Sequence, residues 1–430
     1  MKTKRFLGWV AMATMMLSTS CSSDEVVNDY SPKNAIQFGT YVGRDAESRG
    51  HVSSISKLAS EGFGVFAYYT AESTFDEKTD ATPNFMYNQQ VKSTTSNATE
   101  KDLGEGKKGW SGEWTYSPVK YWPNNVNDKV SFFAYAPYDN KSSESNFTLP
   151  TSEDKGAPSL TFKVKSEDVE LHQDLLYAEP VKDKSKNSSN PVNVTDKITF
   201  DFKHALARIG FKAEVMVDEV NDDATGTDDD YTSTLNCNLD DYTTITIKKV
   251  QLIGKFYQEG KMALTNGEWS EQTFSTEENG VVTFELKEAE NSSASDFATR
   301  TEPNYNANIF KKDDIAIRPL NNDKNYIMII PQNFSSTATD GSNKVKIYVE
   351  YEVFTDANKD GKEDANDSKI LNKITSDEFE INFQQGNAYS LNLHIGMTSV
   401  KFSATVTDWN EVTDKVVNVP INTGTNPTEP

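Results

Sequence analysis

The chain has 430 residues, a formal net charge of −22 at pH 7, 36% hydrophobic and 11% aromatic residues, and two cysteines. So acidic a surface excludes a nucleic-acid partner, which needs a basic face against the phosphates, and adsorption to anionic lipid. Two cysteines exclude a disulfide framework, so stability comes from apolar burial, and this length allows two cores of ordinary size.

Met1 to Arg5 carry three positive charges, and the apolar run Phe6 to Leu17 ends in Ser18, Thr19 and Ser20. Residues 1–20 read as a signal peptide, too short to cross ~30 Å of hydrocarbon as a resident helix. The small residues before Cys21 resemble a bacterial lipobox, whose cysteine becomes the new N-terminus and carries acyl chains. The polar segment behind it reads as a tether.

Strand-type alternation then recurs, with helical periodicity hard to find. Expected strands are FGVFAYY (63–69) and KVSFFAYAP (129–137). KDKSKNSSNPVN (182–193) has no apolar period and marks a domain boundary. Beyond it, ALARIGFKAEVMV sets Ala207, Ile209, Phe211, Ala213, Val215 and Val217 on one face. TTITIKKVQLIGKF (243–256), VVTFEL (281–286) and NYIMIIPQ (325–332) follow, with 218–231 and SEQTFSTEENG (270–280) read as hairpin loops. KVKIYVEYEVF places Val345, Ile347, Val349, Tyr351 and Val353 inward, and EFEINF (378–383), AYSLNLHI (388–395) and VKFSATVTDW (400–409) complete an all-β chain.

Catalytic chemistry is hard to find. His51, His172, His204 and His394 stand at no metal-ligand spacing, and His394, alternating with leucines, is expected to face solvent. GEGKKG matches G-x-G-x-x-G at Gly104, Gly106 and Gly109 but lacks the preceding strand and following helix that a nucleotide site requires. No nucleophile elbow, zinc-protease motif or P-loop occurs. Trp110, Trp114, Tyr116, Tyr121 and Trp122 fit either a sugar-binding platform or β-domain packing.

DANKDGKEDAND places Asp356, Asn358, Asp360, Asp364 and Asp367 at positions 1, 3, 5, 9 and 12 of a calcium loop. Lys362 stands at position 7, where a main-chain carbonyl serves, and Gly361 at the sharp turn. Glu363 at the usually apolar position 8, the short Asp367 and flanking strands depart from the pattern, and a solvated acidic turn is the alternative reading. Structural calcium is the one cofactor this sequence raises.

Several stretches together resemble the fimbrillin-like (Mfa-like) proteins, type V pilus subunits of Bacteroidia: NAIQFGTYVGRDAESRG, YSPVKYWPNNVNDKVSFFAYAPY, HQDLLYAEP, ITFDFKHALARIGFKAEV, YIMIIPQNF, and QGNAYSLNLHI with VTDWNEV. The resemblance covers nearly the whole mature chain. It implies two tandem transthyretin-like β-sandwich domains on an exported lipoprotein, held to the outer membrane by lipid at Cys21 or built into a fimbrium on the cell surface. It also implies an arginine-specific protease that cuts behind the first strand, so that a strand from another copy or a related subunit fills the groove.

On that pattern AIQFGTYV (35–42) is the removable strand. The cut falls between Arg49 and Gly50, or between Arg44 and Asp45 as second choice. DKVVNVPI (414–421) is the donor strand through Val416, Val419 and Ile421, with Pro420 interrupting its ladder. The expected divisions are a signal over 1–20, tether and removable strand over 21–49, sandwich domains over 50–192 and 193–421, and a polar tail over 422–430. A non-enzymatic subunit is the expectation. The alternative is a surface lipoprotein that stays anchored and binds glycan, through Trp110, Trp114 and Trp122, or a pilus partner.

Overall fold

A computed structural model describes residues 34–42, 54–104, 107–139, 146–164, 169, 172–185, 197–215, 239–276, 278–286, 308–312, 317–320, 326–335, 337, 344–398, 400–408 and 417–424. It is an all-β molecule. Among the described residues no helix is long and apolar enough to cross a membrane.

The first sheet runs Glu100–Asp102, Lys108–Trp110, Phe38–Val42, Ile198–His204, Leu176–Ala178, Val130–Ala136, Phe63–Tyr69, Met86–Ser93 and Trp114–Thr115, with Val181–Lys184 also paired to Val130–Ala136. Its two ends curl toward each other. Phe38 and Phe63, four strands apart in this order, bring ring centroids within 6.3 Å across the enclosed core. Phe63–Tyr69 and Val130–Ala136 are buried on both faces, which explains why FGVFAYY and VSFFAYA are apolar without alternation. One side contributes Phe63, Val65 and Phe132 to a small core, and the other contributes Phe66, Tyr68 and Phe133 to the large one.

The large core is closed by two more sheets. In one, Ala207–Val215 pairs in parallel with Asn387–Ile395, which continues through Val400–Asp408 to Val417–Gly424 at the edge. In the other, Thr243–Gly254 lies between Val282–Leu286 and Lys346–Thr355, with Ser368–Thr375 outermost. Ile209, Phe211 and Leu391 meet Ile245, Ile347 and Val349 between them, as the inward positions of KVKIYVEYEVF require.

Four elements differ from the sequence reading. Ser54 caps a short helix, Ile55–Glu61, accepting from the Lys57 amide at 3.2 Å, and the helix buries Ile55, Leu58 and Ala59. At under two turns it is too brief for periodicity to reveal. NYIMIIPQ is two strands in different sheets, Ile327–Ile329 and Gln332–Phe334, because Pro331 between them has no amide to continue a ladder. Residues 270–274, read as loop, belong to the edge strand Trp269–Phe274, whose half-exposed faces hide its period. The strand Ile198–His204, beyond the expected boundary at 192/193, completes the first sheet, so the chain changes sheet at Ala205 and Leu206.

The two halves also share a sheet. Phe147–Thr148 and Ser159–Lys163 pair onward with Tyr257–Ala263 and Trp269–Phe274. Nearby, His204 Nδ1 lies 2.9 Å from Asp174 Oδ2 with both side chains buried, and His172 Nδ1 accepts the Met328 amide at 2.9 Å.

Candidate functional site: the first strand and its groove

AIQFGTYV becomes the strand Phe38–Val42, and it lies inside a sheet instead of at an edge. It runs parallel to Ile198–His204, from Phe38 opposite Ile198 to Val42 opposite Phe202, and antiparallel to Lys108–Trp110 on its other side. Ahead of it, Ala35 bridges Tyr121, the Ile36 amide donates to Lys120 O at 2.9 Å, and the Trp122 amide donates to Asn34 O at 3.0 Å. Tyr116 Oη donates to Ile36 O at 2.8 Å.

Alternation then decides which side chains the groove holds. Ile36, Phe38, Thr40 and Val42 are buried, while Gly39 and Tyr41 lie on the less buried face. The Phe38 ring stacks on Phe200 at 5.9 Å and meets Tyr116 at 5.2 Å and Phe132 at 6.1 Å edge-on. Removing this strand would expose that aromatic floor and unpair the backbone on both sides. Burial pushes the Tyr116 phenol up to about 12, so it remains a donor to Ile36 O well into alkaline solution. On the outer face Lys107 lies 4.6 Å from the Tyr41 ring and 3.7 Å from Asp201, whose carboxyl burial raises above its ordinary range while Lys107 and Lys203 pull it down.

Cys21, Arg44, Asp45, Arg49, Gly50 and Val416 lie outside the described residues. Val419 and Ile421 stand in Val417–Gly424, opposite Ala404 and Phe402 of the chain's own Val400–Asp408. The proposed donor is thus an edge strand of another sheet, where Pro420 breaks no central ladder, and the structure does not bring it to the groove.

The acidic loop joins Lys346–Thr355 to Ser368–Thr375 and turns its carboxylates onto its own backbone. Asp356, 1% exposed, accepts from the Gly361 amide at 2.9 Å; Asp360 accepts from Lys362, Asp364 from Asn366, and Asp367 from Ala357 and Asp364. Asn358 donates to Asp364 Oδ2 at 3.1 Å. Gly361, at φ 77°, makes the sharp turn the sequence places there. Among the described residues no three His, Cys, Asp or Glu side chains stand close enough to share a metal.

Trp114 and Trp122 are buried in the small core, against Phe63 and Phe132, and half-buried Trp110 donates to Ser93 Oγ at 2.9 Å. These residues pack the fold; they do not form an exposed sugar platform. His394 is half-buried, with Nδ1 on Glu214 and Nε2 2.9 Å from Ser403 Oγ, instead of facing solvent. Gly104 lies in a turn followed by the strand Lys108–Trp110, with no helix there to receive a phosphate. Sequence reasoning missed Tyr116 and Trp122 as anchors of the first strand. The alternation of Ile198, Phe200 and Phe202 was the signal available for its partner.

Comparisons with known proteins agree with this architecture. The fimbrillin-like family profile matches residues 58–409. Fimbrium subunit Fim1C of Phocaeicola vulgatus is 27% identical over 431 residues, covering 95% of this chain and 98% of that protein. A fimbrial protein from Bacteroides vulgatus, solved by crystallography, superposes with a TM-score of 0.59 at 22% identity, covering 87% of this chain and 100% of that one, and so shares the fold. A fimbrial assembly protein from Parabacteroides distasonis is a more distant likeness, with a TM-score of 0.39 at 11% identity, covering 90% and 99%.

Proposed function

This chain belongs to the fimbrillin-like family, and from that premise we propose that it is a structural, non-catalytic subunit of a cell-surface fimbria that contributes to adhesion. In this reading it is exported as a lipoprotein acylated at Cys21 and reaches the outer membrane. An arginine-specific protease cuts at Arg49, or at Arg44, and polymerisation follows when a neighbouring subunit's strand replaces the first one. The name of the Phocaeicola relative supports the fimbrial role. The position of Phe38–Val42 carries the mechanism: an apolar strand with pairing partners on both sides, joined to the next helix through the polar run GRDAESRG.

Intact mass and peptide sequencing of material taken from the native cell surface test it. A mature start at Gly50 or Asp45, with polymer ladders, is the expected result. A start at acylated Cys21 in all the material would mean a retained lipoprotein and would sink strand removal.

A further inference from the structure

The resident first strand leaves polar groups buried without partners. Thr40, 7% exposed, faces the small core between Phe38 and Val42, and its Oγ1 has no hydrogen-bond partner among the described residues. Trp122 packs beside the same groove, and its Nε1 also lacks one. Thr40 stands opposite Phe200 in the ladder and Trp122 meets Phe132 edge-on, and neither ring offers these groups a hydrogen-bonding oxygen or nitrogen. A desolvated hydroxyl with no compensating bond weakens whatever strand carries it, while a methyl of the same shape would be at home there. The other face adds a size limit. A Cβ placed on Gly39 would come 3.1 Å from Thr199 Oγ1 on the adjoining strand.

We propose that the groove selects its occupant by sequence. It favours an extended segment of another subunit that carries a β-branched aliphatic residue at the Thr40 position and a small residue at the Gly39 position. The resident strand is then the weaker ligand for its own groove, which gives exchange a direction. This rests on the strand-replacement reading above. The alternation of Val417, Val419 and Ile421 in the last strand matches the groove's period. Laid parallel with Val417 at the Phe38 position, it sets Val419 where Thr40 sits, and Asn418 where Gly39 sits. The chain's own last strand thus meets the first requirement and crowds the second, and a related subunit with glycine before the aliphatic residue meets both.

The test uses the full mature chain cleaved at Arg44 or Arg49 by an arginine-specific protease, with the cut verified by mass. Binding is measured for synthetic AIQFGTYV, for the same peptide with Thr40→Val, and for that second peptide with Gly39→Asn added. The Thr40→Val peptide should bind about tenfold more tightly than the native sequence, and the added Gly39→Asn should reverse part of the gain. In the uncut chain Thr40→Val should raise Tm. Native-peptide binding with no preference for valine, together with an unchanged or lower Tm, overturns the selection and leaves strand replacement standing. Failure of every peptide to bind, with the first strand retained after cleavage, sinks strand replacement and this inference with it.

Discussion

Phe38 is the main aromatic anchor of the first strand. It touches Phe63, Tyr116, Phe132 and Phe200, so Phe38→Ala should destabilise the uncut chain by about 3–5 kcal/mol in denaturant unfolding. Ile370→Ala, at a position 53% exposed, should fall within about 0.5 kcal/mol of the parent chain. Tyr116 adds a pH dependence. Its phenol ionises near 10 when unfolded and at about 12 when folded, so its contribution is complete below pH 10 and is lost as pH rises toward 12. Burial also raises Tyr68, Tyr135 and Tyr351. The denaturant midpoint should therefore drop across that range, and less steeply in Tyr116→Phe. Asp356→Ala removes the buried acceptor of the Asp360 and Gly361 amides and should lower stability by about 1 kcal/mol in the presence of chelator. A loss seen only with calcium present would instead assign that carboxylate to a metal.

Among the elements, the first and last strands differ in what they leave behind. Withdrawing Phe38–Val42 opens the interior of a sheet, whereas withdrawing Val417–Gly424 exposes one edge. Copies truncated after residue 408 should therefore still accept a strand but not donate one, so that mixing them with intact, cleaved copies shortens the polymer ladder on gels. Ladders of unchanged length would place the donor elsewhere in the chain. The element reading from sequence succeeded where one face is buried and the other wet, as in KVKIYVEYEVF and AYSLNLHI. It failed at Trp269–Phe274, where both faces are partly exposed and polar residues carry no period.

At the scale of the whole molecule, the sheet shared by the two halves and the buried hydrogen bond from the Met328 amide to His172 Nδ1 argue for one cooperative unfolding transition. Calorimetry showing two well-separated transitions would mean that the shared sheet couples them weakly. Asp174→Ala removes the buried partner of His204 Nδ1 and should destabilise the chain by about 1–3 kcal/mol. The net charge of −22 makes copies repel, so polymerisation of cleaved subunits should quicken as salt screens that repulsion; light scattering at low and physiological salt would show it.

The sequence by itself determined the all-β class and most inward-facing positions, because a half-buried strand writes its two faces into alternate residues. It also fixed the turn at Gly361 and the family resemblance, since both rest on local residue order. Only the tertiary structure decided that Phe38–Val42 is an inner strand parallel to Ile198–His204, that Trp114 and Trp122 are core, and that the chain changes sheet after His204. Those facts depend on which distant segments share a ladder. A strand's own residues specify its faces but not its neighbours.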